Sequence, residues 1–108
     1  MVTHRVEHYV TPTGVDVFGE WLEALNDVTS QARVATRIDR LTLGLLGDAK
    51  ALRDGVSELR IDHGPGYRVY FARDGRTVIL LLCGGDKRTQ RSDIKRAVAY
   101  WNEYRGRK

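Results

Sequence analysis

The sequence has few of the residues on which disulfide-rich, metal-binding or membrane-spanning proteins depend. Its single cysteine, Cys83, excludes an internal disulfide framework and cannot build a zinc site alone. The three histidines, His4, His8 and His63, are too scattered to indicate a metal site, and there is no Walker phosphate-binding loop. No apolar run approaches the roughly 18 residues that a membrane helix needs. We therefore expect no metal or other cofactor and no association with a membrane.

Length and composition favour a single domain over residues 1–108. Hydrophobic residues make up 42% of the chain and charged residues 30%, which is typical of a soluble globular protein. Residues 1–7 lack the hydrophobic region of a signal peptide, so we expect the protein to be cytoplasmic.

The positive charge is concentrated near the C-terminus. Residues 1–86 hold ten Lys/Arg and twelve Asp/Glu, a net charge of −2. Residues 87–108 hold eight Lys/Arg and two Asp/Glu, a net charge of +6. A clustered positive region attracts a phosphate backbone or an acidic partner, although a well-solvated helix face has the same composition.

The first half of the chain predicts an edge strand followed by two helices. The strand is predicted at residues 4–10, where apolar and polar residues weakly alternate. The spacing of apolar residues then predicts an amphipathic helix over residues 15–26, at Phe18, Trp21, Leu22 and Leu25. A second helix, capped by Thr29 or Ser30, is predicted to run to about Leu46. The short link between these helices predicts an antiparallel helical hairpin.

The second half predicts three strands and a final helix. After a loop over residues 50–55, the predicted strands span residues 56–62, 67–72 and 77–83, and the helix spans residues 90–104 with Thr89 as its cap. A two-residue turn at Asp74-Gly75 would place Ile79 and Leu81 on the same face of the sheet as Arg68. The opposite face is apolar, and we expect the helical hairpin to cover it.

Arg68 lies within a predicted strand among apolar and aromatic neighbours, where an arginine requires a partner or an anionic ligand. If residues 63–65 connect the strands, Arg60 faces Arg68 across the hairpin. Two like charges facing each other destabilise a sheet unless something negative lies between them. The carboxylate of Glu58 or Asp62 would meet this need, and so would a bound phosphate.

A glycine-rich segment, Gly84-Gly85-Asp86, ends the last predicted strand and is followed by Lys87 and Arg88. Two glycines allow the backbone to turn sharply or to approach a ligand. Cations beside the exposed N–H groups of a helix N-terminus are suited to anion binding, although most turns of this kind only change the direction of the chain.

The element order β-α-α-β-β-β-α, with its arginine strand and basic turn, resembles the RelE/ParE toxin superfamily. Three segments resemble, more narrowly, the HigB-like (phage Gp49-like) branch of addiction module killer proteins: GVSELR at 55–60, GYRVYF at 66–71 and LCGGDK at 82–87. The resemblance covers nearly the whole chain. It implies an α+β fold in which a helical hairpin packs on a small, largely antiparallel sheet, with a C-terminal helix added.

The resemblance also implies the toxin of a type II toxin–antitoxin system. RelE- and HigB-like toxins are endoribonucleases (mRNA interferases) that use no metal and cleave mRNA, usually in the A site of the 70S ribosome, which inhibits translation and growth. The 2′-hydroxyl of the RNA attacks the adjacent phosphate, and placed cations stabilise the dianionic phosphorane. The implied partner is a helix-turn-helix, HigA-like antitoxin, and operator DNA would be bound only through it.

The motif positions assign candidate roles to the cations. Arg68 and Arg60 match the arginines of the family's strand motifs and are the candidates for phosphate stabilisation, and Lys87 is the candidate for positioning RNA or stabilising charge. The candidate substrate-binding residues beyond them are Arg88, Arg91, Arg53 and Lys50.

The acid–base residue is less clearly marked. RelE relies on a tyrosine after its basic turn, and Ile94 occupies that position here. Tyr70, on the arginine face, and His63, which titrates near neutral pH, are the alternative candidates. A histidine in a turn is more often merely solvated.

Two other functions share these features. A ParE-like toxin has the same fold but binds DNA gyrase and needs no catalytic arginine pair. A non-toxic module would use its basic C-terminus only to bind an acidic partner. The pairing of Arg60 with Arg68 favours the ribonuclease. Ile79 and Leu81 would then be either covered by the last helix or offered to the antitoxin.

Overall fold

A five-stranded sheet forms the centre of the structure, a computed structural model that describes residues 3–107. The elements in chain order are β1 Arg5–His8, α1 Val17–Glu23, α2 Val28–Thr42, β2 Ala49–Ala51, β3 Val56–Ile61, β4 Tyr67–Asp74, β5 Val78–Asp86, a 3₁₀ turn Lys87–Thr89 and α3 Gln90–Gly106. The strand order is β1-β5-β4-β3-β2. β1 runs parallel to β5, and the other neighbouring pairs are antiparallel. The predicted α+β class with a largely antiparallel sheet is confirmed.

One strand lies in a segment that the sequence predicts to be a loop. β2 pairs with β3, with Lys50 opposite Glu58, so the prediction of a loop over residues 50–55 is wrong in its first part. The element order is therefore β-α-α-β-β-β-β-α. A strand of three residues is too short to show the alternation that marks longer strands in a sequence.

The helical hairpin is present, but both of its helices are shorter than predicted. α1 begins after Asp16, whose carboxylate accepts a hydrogen bond from the N–H of Gly19 at 3.0 Å. α2 is capped by Asp27 rather than by Thr29 or Ser30, which instead donate to the Asp27 carboxylate. Among residues 3–107, no helix is both long and apolar enough to cross a membrane.

The helices cover opposite faces of the sheet. α1 and α2 pack over one face, where the buried side chains are Phe18, Val34, Leu41, Leu59, Ile61, Val69, Phe71, Ile79 and Leu81. α3 packs over the other face through Ala97, Val98 and Trp101, which contact a cluster that includes Tyr70 and Cys83. The sheet is thus buried on both sides along its central strands.

From Val78 to Leu82 the faces of β5 are reversed relative to the prediction; the β-bulge opposite Tyr70 and Phe71 ends this reversal before Cys83, which shares a face with Tyr70. A three-residue loop at residues 75–77 joins β4 to β5 and places Asp74 opposite Val78. Because one additional residue in the connection moves every side chain to the other face, Ile79 and Leu81 lie beneath the helical hairpin. They are neither beside the arginines, nor covered by the last helix, nor offered to an antitoxin.

Candidate functional site

The hairpin of β3 and β4 brings the two predicted arginines together. Arg60 lies directly opposite Arg68 in the ladder, which confirms the predicted pairing. Both side chains line an open cleft of about 440 Å³ at the end of these strands. The other residues that line the cleft are Asp48, Ile61, Asp62, Gly64, Pro65, Gly66 and Lys87.

Two backbone carbonyls restrain the Arg68 side chain, and part of its guanidinium has no hydrogen-bond acceptor among residues 3–107. Its side chain is 13% exposed, and Nη1 donates to the carbonyl oxygens of Gly66 and Tyr67 at 3.2 and 3.3 Å. Within residues 3–107, no acceptor lies within hydrogen-bond geometry of its Nη2 or of any guanidinium nitrogen of Arg60. The cleft therefore presents guanidinium N–H groups that have no hydrogen-bond acceptor among these residues, and such groups suit an anion.

Glu58 is the negative group between the arginines, as one of the sequence-based alternatives predicted. Its side chain is 2% exposed; Oε1 lies 3.5 Å from the Nε of Arg68 and Oε2 lies 3.9 Å from the Nε of Arg60. Asp48 adds a second carboxylate 3.3 Å from the Nε of Arg60. Asp62 lines the cleft and is exposed at its rim. The protein supplies part of the balancing charge itself.

Lys87 joins the arginines because the basic turn is tied to the β3–β4 turn. The N–H of Lys87 donates to the carbonyl oxygen of Gly66 at 2.9 Å, and Lys87 lines the same cleft as Arg60 and Arg68. Gly66 has a φ of 82°, a left-handed conformation that favours glycine. Three cations thus converge on one cleft from two strands and the 3₁₀ turn.

The double glycine serves packing rather than ligand approach. A Cβ at Gly84 would lie 2.2 Å from the ring of Trp21, and a Cβ at Gly85 would lie 1.8 Å from the carboxylate of Asp93. Side chains of α1 and α3 therefore occupy the space on the two faces of the strand. Of the two alternatives that the sequence left open, a sharp turn or the approach of a ligand, neither applies, because both glycines lie within β5.

Neither predicted acid–base residue reaches the cleft surface. Tyr70 is fully buried beneath α3, and its pKa is raised by burial and then by the negative charges of Glu58 and Asp93. His63 is partly exposed, but its Nε2 lies 3.8 Å from the carboxylate of Asp27 at the start of α2. The cleft therefore combines the cations Arg60, Arg68 and Lys87 with the carboxylates of Asp48 and Asp62, without either predicted acid–base residue.

Two of the remaining predicted cations line a second groove. Arg53 and Arg91 border an open groove of about 420 Å³ together with Gln90, Ile94 and Lys95. The groove carries three cations and no acidic lining residue. A side-chain contact links it to the first cleft: Gln90 Nε2 donates to Glu58 Oε1 at 2.6 Å, and the same oxygen faces Arg68.

Arg88 and Lys50 lie outside both depressions. The guanidinium of Arg88 is bound to the carboxylate of Asp86 at 3.0 Å, and its side chain is largely exposed. Lys50 lies on β2 opposite Glu58 and is exposed.

The sequence prediction missed Gln90, Lys95 and Asp48. Lys95 follows Arg91 by four residues on a predicted helix, so helical spacing alone would have placed the two cations on one face. The contact of Gln90 with Glu58 joins residues far apart in the chain, and no local pattern signals it. Among residues 3–107, no three His, Cys, Asp or Glu side chains cluster as metal ligands do.

A match to a protein family covers the residues that line both depressions. The family model described as phage derived protein Gp49-like (DUF891) matches residues 20–99 of the chain. A protein of Haemophilus influenzae, described as an uncharacterized protein, is 49% identical over 80 residues. The aligned part covers 74% of this chain and 81% of that protein. The family match includes Arg60, Arg68 and Lys87 as well as the cations of the second groove.

Proposed function

The chain belongs to the family of phage derived Gp49-like proteins, the addiction module killer or HigB-like toxins, and from this premise we propose that it is an endoribonuclease that cleaves mRNA. The observation that supports the proposal most directly is the cleft in which guanidinium nitrogens of Arg60 and Arg68 lack acceptors within residues 3–107. The proposed substrate is single-stranded RNA, which brings phosphates to this cleft and to the adjoining basic groove.

The proposed reaction uses the RNA as its own nucleophile. The 2′-oxygen loses its proton and bonds to the adjacent phosphorus, and the bond from phosphorus to the 5′-oxygen breaks. The leaving oxygen takes up a proton, so the products carry a 2′,3′-cyclic phosphate and a 5′-hydroxyl. Arg60, Arg68 and Lys87 stabilise the negative charge that grows on the phosphorane, which is a task that fixed cations can perform without a metal ion.

Proton transfer is not assigned to Tyr70 because its hydroxyl is buried. The ring of His63 faces Asp27, so it would have to turn away from that carboxylate to meet a substrate. The ribosomal A site, as the proposed place of cleavage, would align the 2′-oxygen with the scissile bond and reduce the demand on acid–base groups of this chain.

The family also implies an antitoxin partner. We propose a HigA-like helix-turn-helix antitoxin that presents acidic groups to the basic side of α3, where Arg91 and Lys95 border the second groove. In this proposal the toxin acts in the cytoplasm, and contact with operator DNA occurs only through the antitoxin.

The test is induction of the protein in growing cells, followed by primer extension on cellular mRNA. The wild-type protein should inhibit growth and create new 5′ ends within translated frames. Arg68→Ala should lose growth inhibition, because removing one charge-stabilising donor lowers cleavage by about 100- to 1,000-fold. Arg76→Ala is the matched control, since Arg76 is exposed in the β4–β5 loop at the other end of the sheet.

Full toxicity of Arg68→Ala would remove this arginine from the mechanism. Intact mRNA accompanied by DNA breaks would contradict the ribonuclease and support a gyrase-directed toxin with the same fold. Retained folding of the Arg68→Ala variant is checked by its circular dichroism and thermal unfolding.

A further inference from the structure

A buried carboxylate lies behind the arginine pair. Glu58 is 2% exposed and is among the most deeply buried large side chains of the protein. A charged group in this position is tolerated only where it is paired and hydrogen-bonded. Glu58 has two cationic neighbours, Arg60 and Arg68, and accepts the 2.6 Å hydrogen bond from Gln90.

The contacts of Glu58 are confined to the inner side of each guanidinium. Each carboxylate oxygen faces the Nε of one arginine, at 3.5 Å for Arg68 and 3.9 Å for Arg60. A bidentate ion pair would instead place both carboxylate oxygens against two nitrogens of one guanidinium. The arrangement restrains both side chains and leaves the Arg60 Nη atoms and Arg68 Nη2 without an acceptor among residues 3–107.

Repulsion between Arg60 and Arg68 gives a reason for a carboxylate to lie between them. Two arginines directly opposite each other in an antiparallel ladder repel, and each would turn away from the other if nothing lay between them. Glu58 lies between the two guanidiniums and reduces that repulsion, and Asp48 reduces it further at Arg60. Lys87 adds a positive charge at the same cleft, and the exposed carboxylate of Asp62 also lines it.

We infer that Glu58, held by Gln90, is a positioning residue that fixes the guanidiniums of Arg60 and Arg68 toward the cleft. The catalytic consequence of this inference rests on the proposed ribonuclease function, whereas its structural consequence does not. Gln90 donates to Oε1, the oxygen that faces Arg68. Loss of Gln90 should therefore disturb Arg68 more than Arg60.

The structural test follows the arginine Nε–H signals by NMR in ¹⁵N-labelled protein. Both Nε atoms are buried, so in the wild type their protons should exchange slowly with water. In Glu58→Gln we expect exchange at Arg68 to be at least about tenfold faster, because its Nε proton then faces no carboxylate. The change at Arg60 should be smaller, because Asp48 remains 3.3 Å from its Nε. Glu103→Gln is the control, since Glu103 is a carboxylate paired with Arg107 near the end of α3.

Gln90→Ala keeps the test decisive if Glu58→Gln does not fold. This variant retains the buried charge, and it should accelerate exchange at Arg68 while leaving Arg60 close to its wild-type rate. Unchanged exchange at both arginines in every folded variant would overturn the inference. Equal changes in Glu103→Gln would overturn it as well, because they would indicate a general loss of stability.

The functional test measures cleavage of a short RNA by programmed ribosomes in vitro. Glu58→Gln should lower kcat about a hundredfold and change KM by less than about twofold, because misdirected cations cost transition-state stabilisation more than binding. If the wild type cleaves no RNA, the proposed function fails and the exchange data alone decide the inference. If the wild type cleaves RNA and Glu58→Gln cleaves it equally well, the positioning role is overturned.

Discussion

The two faces of the sheet show how one hairpin can serve both stability and chemistry. On the face beneath α1 and α2, strands β3, β4 and β5 place six apolar side chains that are at most 4% exposed: Leu59, Ile61, Val69, Phe71, Ile79 and Leu81. On the opposite face, β3 carries Val56, Glu58 and Arg60, and β4 carries Ala72, Tyr70 and Arg68. The same strands therefore pass from apolar to charged along one face and stay apolar along the other.

The difference follows from how far each helical layer extends. The helical hairpin covers its face as far as Ile61 and Tyr67, at the last pair of the β3–β4 ladder. α3 begins at Gln90, which contacts Glu58 and leaves the neighbouring Arg60–Arg68 pair beside an open cleft. A face that is covered along its whole length becomes core, whereas a face left open at one end can hold charges that a ligand completes.

We expect the apolar face beneath α1 and α2 to contribute more to the free energy of unfolding than the charged end of the opposite face. Leu81→Ala removes a fully buried side chain beneath the hairpin and should lower the free energy of unfolding by about 2–5 kcal/mol. Arg60→Ala should change it by less than about 1 kcal/mol, because the nearest carboxylate to Arg60 is the exposed Asp48 and because buried Glu58 keeps Arg68 and Gln90 as partners. Urea unfolding followed by tryptophan fluorescence measures both values.

The result would be informative in either direction. A large loss of stability in Arg60→Ala would mean that the charged end is itself a structural element, and the division between the faces would not hold. Leu81→Ala should keep RNA cleavage wherever it is still folded, since Leu81 does not contact the cleft.

Alkaline pH should lower the stability of the protein by ionising buried groups between α3 and the sheet. Burial raises the pKa of the Cys83 thiol to about 12 and that of the Tyr9 hydroxyl to about 12, and both groups lie in the cluster beneath α3. A folded-state pKa above the unfolded value gives stability that is present below the unfolded pKa and is lost as the pH rises through the folded pKa. At pH 10.5 the loss from Cys83 alone should be about 2 kcal/mol.

The measurement is chemical denaturation at pH 8 and at pH 10.5. Cys83→Ala should be less stable than the wild type at pH 8 because of the cavity it creates, but its further loss on going to pH 10.5 should be about 2 kcal/mol smaller. An equal further loss in both proteins would show that the buried thiol does not govern the alkaline transition.

Part of this site could be predicted from the sequence because short-range rules determine it. The turn at residues 63–65 and the alternation on either side place Arg60 opposite Arg68. The register of β5 could not be predicted, because it depends on whether the turn is the two-residue Asp74-Gly75 or the three-residue loop 75–77, and on the β-bulge near Tyr70.

Contacts distant in sequence account for the rest. Gln90 meets Glu58 only after α3 has packed across the sheet, and Tyr70 is buried by the same helix. The sequence shows that Tyr70 lies in a predicted strand and Gln90 at the start of a predicted helix. No local pattern indicates whether either side chain reaches the cleft. Tertiary packing decides this outcome.

Asp86 lies at the end of β5 opposite Tyr67, and its removal should have a small effect. Its carboxylate accepts from the N–H of Arg88 at 2.8 Å and caps the 3₁₀ turn that carries Lys87 to the cleft. Asp86→Ala should lower the free energy of unfolding by about 1 kcal/mol at pH 7. Hydrogen bonds from Arg88 lower the pKa of Asp86, so this contribution is present above the unfolded pKa and is lost as the pH falls through the folded value.

The wild type and Asp86→Ala should therefore converge in stability as the pH falls below about 4. Asp86→Asn is the matched variant, since an asparagine side chain can still cap the turn, and it should lose less stability at pH 7 than Asp86→Ala. A difference that persisted unchanged at acidic pH would show that Asp86 acts by packing rather than by its charge. If RNA cleavage falls in Asp86→Ala while Arg60 and Arg68 keep their slow exchange, the placement of Lys87 contributes to the reaction independently of the arginine pair.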